Sequence, residues 1–203
     1  MNQSRLPEPG QEYRALIFDW DGTVANTEAV NYAALATVLR SVGVPITREW
    51  FAERTGISST ELIRSVLDSR AIADVGVSPL VEQRDRLFFE GLGEVTAFPD
   101  TLAVIEAEHG RRPLAVASGG SGRAVRAGID SLGLADRFNA VVTRDEVNAG
   151  KPAPDAYLLA AELLAVRPED CLVYEDTEEG IAAARAAGMD VLDVRTARAT
   201  GQR

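Results

Sequence analysis

The chain has 203 residues, 46% hydrophobic and 26% charged, with a formal net charge of −10 and one cysteine. That composition supports a buried core, and an acidic field that repels polyanions excludes nucleic acid and anionic membrane surfaces as expected partners. No run reaches the roughly 20 apolar residues that cross a bilayer; the polar start over residues 1–11 is unlike a secretory signal and a lone thiol closes no internal disulfide, so a cytoplasmic protein is expected.

In chain order, residues 1–12 read as a loose tail. An apolar run, Ala15–Phe18, then ends abruptly in Asp-Trp-Asp-Gly-Thr. Short runs recur at Leu114–Ala117, Ala140–Val142 and 172–174, with 191–194 as a fifth, and helical periodicity fills the intervals between them. Strands that alternate with helices and are apolar throughout predict a parallel sheet covered on both faces, a doubly wound, Rossmann-like α/β core. Residues 26–97 break the alternation. Val30, Ala34, Leu35, Val38 and Val42 share one helical face before Gly43; Leu62, Ile63, Val66 and Leu67 form a second stripe, and Ser78-Pro79 opens a third helix. Trp50 and Phe51 read as core of this helical module. The chain therefore divides into a small all-helical domain over 26–97 inserted after the first strand, a catalytic core over 13–25 and 98–195, and a second loose tail over 196–203. Within the core, Asp100 reads as a helix cap and Arg111 and Arg112 as a solvated turn. Ala156, Leu159, Ala160, Leu163 and Leu164 read as the apolar stripe of a helix.

Ligands of open parallel sheets bind beyond the carboxyl ends of the strands, and the polar residues of this sequence fall there. The strand ending at Phe18 delivers Asp19 and Asp21, the one ending at Ala117 delivers Ser118, and the one ending at Tyr174 delivers Glu175 and Asp176. Lys151, in Gly-Lys-Pro-Ala-Pro-Asp, is the sole lysine among 21 basic residues, which marks a place where a guanidinium does not serve. Carboxylates gathered on one rim repel one another unless a cation sits among them. Few, hard oxygen ligands favour Mg²⁺, which takes substrate phosphate oxygens as further ligands. Asp19 is then the nucleophile, forming an aspartyl-phosphate. Asp21, after a turn that Gly22 permits, protonates the departing oxygen and later activates water. Lys151, the hydroxyls of Thr23 and Ser118, and backbone N–H groups beside Ser118, at Gly119, hold the phosphate.

Plainer alternatives exist for several of these residues. Asp-Gly is common in surface turns, although a surface turn leaves the matching acids after another strand unexplained. His109, the single histidine, has nothing beside it to complete a Ser-His-Asp or zinc set. Trp20 reads as a specificity contact or as packing beneath the cap, and Glu178 and Glu179 as anions favouring a helix N-terminus.

Phe-Asp-Trp-Asp-Gly-Thr-Val (18–24), Ser118, Gly-Lys-Pro-Ala-Pro-Asp (150–155) and Tyr-Glu-Asp-Thr-Glu-Glu-Gly-Ile-Ala-Ala-Ala-Arg-Ala-Ala-Gly-Met (174–189), in that order, resemble the four motifs of the haloacid dehalogenase-like hydrolases. The similarity runs from about Ala15 to Arg195 and includes a small helical cap where the β-phosphoglucomutase-like subgroup has one. Within that subgroup the chain is most similar to bacterial fructose-1-phosphate phosphatase-like proteins, through residues 110–117 and 133–195. The resemblance implies Mg²⁺ held by the Asp19 side chain, the Asp21 backbone carbonyl and Asp176, with Glu175 in or next to the coordination shell. It also implies a cap that excludes water between the half-reactions.

A Mg²⁺-dependent phosphatase acting on a small phosphorylated sugar is expected, with Asn31, Arg54, Ser58 and Ser59 of the cap facing the substrate. The acidic surface and the lack of an association motif make it a monomer. Asn31 stands where many members carry His, Ser59 where the mutases carry Arg, and Gly120-Ser121 where they carry Ser-Lys. These departures favour hydrolysis over β-phosphoglucomutase-type isomerisation. A phospho-accepting signalling receiver also uses Asp, Mg²⁺, a hydroxyl and Lys on such a sheet, but the inserted helical segment and the Asp-x-Asp-Gly-Thr order argue against it.

Overall fold

Short apolar strands suffice where both faces of a sheet are covered, and every residue of Ala15–Phe18 and Leu114–Ala117 is shielded from solvent. The computed structural model describes residues 6–54 and 57–200. It divides into two compact units, Thr27–Val95 and the chain on either side of it. The flanking unit carries strands β1 (Ala15–Phe18), β2 (Ala25–Asn26), β3 (Thr96–Ala97), β4 (Leu114–Ala117), β5 (Ala140–Val142), β6 (Cys171–Glu175) and β7 (Asp190–Asp193). Helices α1 (Glu28–Ser41), α2 (Arg48–Ala52), α3 (Ser59–Ser69) and α4 (Val77–Glu90) lie in the inserted unit. Helices α5 (Pro99–Glu108), α6 (Gly122–Ser131), α7 (Asp155–Leu163), α8 (Glu178–Ala186) and α9 (Val194–Thr200) belong to the flanking unit.

Five strands form one parallel sheet in the order β5-β4-β1-β6-β7. β1 is central, with Phe18 opposite Val116 on one side and Tyr174 on the other. The strand order reverses at β1, so the crevice beyond its carboxyl end is the binding position of this doubly wound α/β fold. Side chains alternate across the sheet. Ala15, Ile17, Ala115, Ala117 and Val173 share one core with Ala156, Tyr157, Ala160 and Ala161 of α7 and Ala183 and Ala184 of α8. Alanine on both sides lets these helices lie close to the strands. No helix among the described residues is long and apolar enough to cross a membrane.

The inserted unit is helical throughout its labelled elements. Leu35, Val38, Leu39, Leu62, Ile63, Val66, Leu67 and Leu80 form its core, with Trp50 and Phe51 packed against it. β2 and β3, where the chain leaves and re-enters the flanking unit, pair antiparallel over two residues each.

Several sequence expectations are corrected here. Val194–Thr200 is a helix rather than the start of a loose tail; residues 201–203 lie outside the described residues. The N-terminal segment is tied down in part, because Leu6 is buried and Arg112 donates to the carbonyls of Gly10 and Tyr13 at 3.1 and 2.5 Å. Arg112 also pairs with Glu108 at 2.6 Å and is mostly buried, so it does not lie in a solvated turn. Phe98, not Asp100, occupies the N-cap of α5, with Pro99 at the first helical position. On α7 the buried positions are Ala156, Tyr157, Ala160 and Ala161, while Leu163 is 57% exposed.

Cys171 opens β6 as a buried free thiol. Burial, followed by the nearby charges of Asp170 and Glu169, pushes it up to about 11. A thiol with so little thiolate is a poor nucleophile at neutral pH. An aromatic disulfide reagent at pH 8 is therefore expected to titrate no thiol in the native protein and one after denaturation.

Candidate active site

The turn that follows β1 carries the site. Asp19 N–H donates to the Tyr174 carbonyl at 2.9 Å, which extends the sheet ladder by one residue and fixes the Asp19 backbone. The next side chain, Trp20, is 1% exposed and lies against α6, where a β-carbon on Gly128 would come within 2.9 Å of its ring. Trp20 therefore wedges the turn against α6 of its own unit. Gly22 has φ of +86°, and a β-carbon there would lie 2.1 Å from an Asp176 carboxylate oxygen; both facts demand glycine. Val24 and Ala25 N–H groups return to the Trp20 carbonyl at 3.0 and 2.9 Å, closing the turn. Thr23 is buried and its hydroxyl donates to Asp176 Oδ1 at 3.2 Å.

Lys151 is the hinge of the electrostatics. Its Nζ donates to Asp19 Oδ1 and to Glu175 Oε2, both at 2.6 Å. Glu175, fully buried as the last residue of β6, also accepts from the Tyr157 hydroxyl at 2.6 Å. Its other oxygen accepts from the N–H groups of Asp176 and Thr177 and from the Thr177 hydroxyl, each at 2.9 Å. Thr177 in turn caps α8 through Gly180 N–H at 3.0 Å. Ser118 N–H donates to the Val142 carbonyl at 2.9 Å, and its Oγ accepts from Gly120 N–H at 3.0 Å. A β-carbon built on Gly120 would lie 3.3 Å from Ser118 Oγ and 3.6 Å from Asp21 Oδ2, which places the second acid beside the Ser118 loop. Gly119, on that loop, is exposed.

Burial, together with the charges of Glu175 and Asp176, pushes Asp19 well above the ordinary carboxylate range, against the pull of Lys151. Burial and Glu175 likewise push Asp176 up to about 7. Burial also raises Glu175, but Lys151 and its other donors outweigh that and hold it ionised below its ordinary value. Lys151 loses by burial and gains more from Asp19, Tyr157 and Glu175, so it stays protonated. Asp19, Glu175 and Asp176 each offer a carboxylate oxygen within 4.8 Å of the others, an acidic cluster able to hold a metal ion. One ammonium does not neutralise three such groups.

Residues 13–188 match the haloacid dehalogenase-like hydrolase family. The chain belongs to the haloacid dehalogenase-like hydrolases. It is 35% identical over 185 residues to the fructose-1-phosphate phosphatase YqaB of Escherichia coli (strain K12), covering 91% of this chain and 98% of that one. The β-phosphoglucomutase of Bacillus subtilis (strain 168) is 28% identical over 191 residues, covering 89% and 83% of the two chains. The crystal structure of CbbY from Rhodobacter sphaeroides in complex with phosphate superposes with a TM-score of 0.78 at 28% identity, over 88% of this chain and 84% of that one. By this kinship the hydrolase is an enzyme of the phosphoric monoester class.

In this hydrolase three of the four positions picked from the inserted unit, Asn31, Arg54 and Ser58, have partners within that unit. Ser58 is the N-cap of α3 in a reciprocal capping box with Glu61, and Ser59 is the first helical residue. Arg54 donates to the Trp50 carbonyl at 2.8 Å and stacks over the Trp50 ring at 4.3 Å. Asn31 Oδ1 accepts from Arg84, a buried residue that sequence reasoning left out. Tyr157 was missed as well. Its signal was an aromatic residue two positions after Asp155, in a helix whose leucines drew attention to a different face.

Proposed function

We propose that the hydrolase is a Mg²⁺-dependent phosphatase that removes phosphate from small sugar phosphates of the fructose 1-phosphate kind through an aspartyl-phosphate on Asp19. The observation that carries this reading is the buried Asp19 carboxylate, 2.6 Å from Lys151 at the end of the central strand and beside Asp176 and Glu175. A carboxylate pressed among like charges, with its backbone locked, is oriented for attack once the excess charge is balanced. The kinship with a fructose-1-phosphate phosphatase supports the substrate class.

The donor set suits a hard divalent cation: Asp19 and Asp176 side chains with the Asp21 carbonyl would hold it. Glu175 already accepts five hydrogen bonds, more than the about four lone-pair sites of a carboxylate, and so stands next to the shell, ordering Lys151. When bound, Mg²⁺ balances the carboxylates and polarises the phosphate oxygens. Asp19 attacks phosphorus, and Asp21 gives its proton to the departing sugar oxygen. Asp21 then takes a proton from the water that attacks the aspartyl-phosphate, and Asp19 is released. Lys151, Thr23, Ser118 and the Gly119 N–H hold the oxygens of the transferring group. Ser59, Gly120 and Ser121 offer no cation to a second phosphate, which supports water rather than a phosphosugar as the acceptor. The enzyme acts as a cytoplasmic monomer on a free metabolite.

The test is phosphate release over a panel of phosphorylated metabolites with and without Mg²⁺, read beside thermal unfolding. Fructose 1-phosphate is expected to turn over only with Mg²⁺; isomer formation without free phosphate would replace this reading by the mutase one. At about a hundredfold excess over its Kd, Mg²⁺ is expected to raise Tm by roughly 5–10 °C at pH 8. An acid raised in the folded state lends stability below its ordinary pKa and loses it as pH climbs through the folded one. Asp176, pushed up to about 7, therefore makes the Mg²⁺-free protein gain stability on acidification, and the Mg²⁺-induced shift is smaller at pH 5 than at pH 8.

A further inference from the structure

Arg198 reaches the catalytic turn from α9, near the other end of the chain. Its Nη1 donates to the Gly22 carbonyl at 2.8 Å and its Nη2 to the Thr23 carbonyl at 3.0 Å. The same guanidinium forks onto Asp100 at 2.9 and 3.3 Å, donates to the Thr101 hydroxyl at 3.1 Å, and lies 3.9 Å from the centre of the Phe98 ring. The side chain is 19% exposed and Asp100 only 7%. A planar, five-donor cation is the one side chain able to hold two successive carbonyls and a carboxylate at once.

The acceptors are informative. A helix that merely needed docking has the sheet edge and α5 available, yet Arg198 also holds the carbonyls of the two residues that follow Asp21. Gly22 is left-handed and without a side chain; the turn's own bonds engage the N–H groups of Gly22, Val24 and Ala25, while Arg198 holds the Gly22 and Thr23 carbonyls. Thr23, held by its carbonyl, presents the hydroxyl that reaches Asp176. Phe98 N–H donates to the Val24 carbonyl at 2.9 Å, so the outgoing and returning segments meet at the same guanidinium.

We propose that Arg198 is a positioning residue for the acid/base group Asp21, acting through the Gly22 and Thr23 carbonyls; the inference rests on the phosphatase reading above. A misplacement of the acid by about an ångström costs about 10²-fold, and only where the leaving group needs its proton. A sugar alkoxide needs it, whereas para-nitrophenolate leaves unaided.

The experiment compares kcat/KM for fructose 1-phosphate and para-nitrophenyl phosphate in wild type, Arg198→Met and Asp100→Asn. Arg198→Met is expected to lose about 10²-fold on the sugar phosphate and less than about 3-fold on the aryl phosphate. Asp100→Asn keeps both carbonyl contacts, so it is expected to melt lower while keeping the wild-type ratio between substrates. Equal losses on both substrates, or no loss, overturn the proposal. Should Arg198→Met not fold, Arg198→Lys, which cannot span two carbonyls and Asp100, is judged by the same ratio. Hydrogen exchange separates this inference from the function it rests on. If the wild type hydrolyses neither substrate, the phosphatase reading fails. Faster exchange at Val24 and Ala25 in Arg198→Met, but not in Asp100→Asn, then still shows the clamp; unchanged exchange removes it.

Discussion

Asp19→Asn is expected to drop phosphate release below about 10⁻⁴ of wild type and, in Mg²⁺-free buffer, to unfold at a higher temperature than the parent. Loss of turnover follows because an amide oxygen is not a nucleophile of comparable strength. The gain in stability has a separate cause. Asp19 is 6% exposed, and burial and the neighbouring acids press its carboxyl upward, so its ionised form works against folding at neutral pH. Asparagine keeps the shape without the charge, and Lys151 retains Glu175 at 2.6 Å. The same substitution removes one of the oxygens proposed to hold Mg²⁺, so Mg²⁺ is expected to raise Tm less than in wild type. Phosphate release and thermal unfolding with and without Mg²⁺ check all three statements. Residual turnover above about 1% would place the nucleophile elsewhere.

The central strands were legible because burial on both faces leaves continuous apolar runs, and Ala15–Phe18 and Leu114–Ala117 are such runs. β2 and β3, two residues each, are too short for a period to show. α7 illustrates a subtler failure. Its segment holds leucines at 158, 159, 163 and 164, and these fit more than one phase of a 3.6-residue repeat. The sheet face it meets is rich in alanine, at Ala15, Ala115 and Ala117 beside Ile17 and Val173; the helix turns Ala160 and Ala161 inward and leaves Leu163 in solvent. α9 and the N-terminal segment are held by Arg198 and Arg112 bonding to backbone carbonyls. Charged residues in a pattern read as solvent-facing by default, so neither anchor leaves a trace in hydropathy.

The core acids were legible for a topological reason: strand ends feed one rim, and polar residues immediately after apolar runs have to lie on it. What pattern could not divide was the labour among them. Glu175 reads like Asp176 in sequence, yet one finishes inside β6 with both oxygens engaged and the other stands half-buried in the turn. The difference is one residue of strand length. Ser58 did carry a usable signal, since Ser-x-x-Glu over 58–61 is the spacing of a capping box, and that spacing favours a helix start over a ligand contact.

Lys151→Met is expected to cost about 3–5 kcal/mol of stability, the penalty for stripping the partner from buried ions, and so to lower Tm by roughly 6–20 °C. Lys151, Asp19 and Glu175 have side-chain exposures of 10%, 9% and 0%, so water does not screen what remains. With the ammonium gone, burial governs both carboxyls and each rises in the folded state. Their protonation then favours folding at low pH, so the deficit relative to wild type is largest at pH 8 and shrinks towards pH 5. On the proposed mechanism catalysis falls with it, by about 10²–10³ in kcat, since the same ammonium would steady the transferring phosphoryl group. Lys151→Arg is not expected to rescue either property. The Nζ sits 2.6 Å from two carboxylates and 5.0 Å from the centre of the Tyr157 ring, a space fitted to a point charge rather than a planar fork. Melting curves of both variants from pH 5 to pH 8 decide the matter. A Lys151→Met protein that melts with the wild type at pH 8 would mean that the two carboxylates do not depend on this cation, and the electrostatic account of the site would fall with that result.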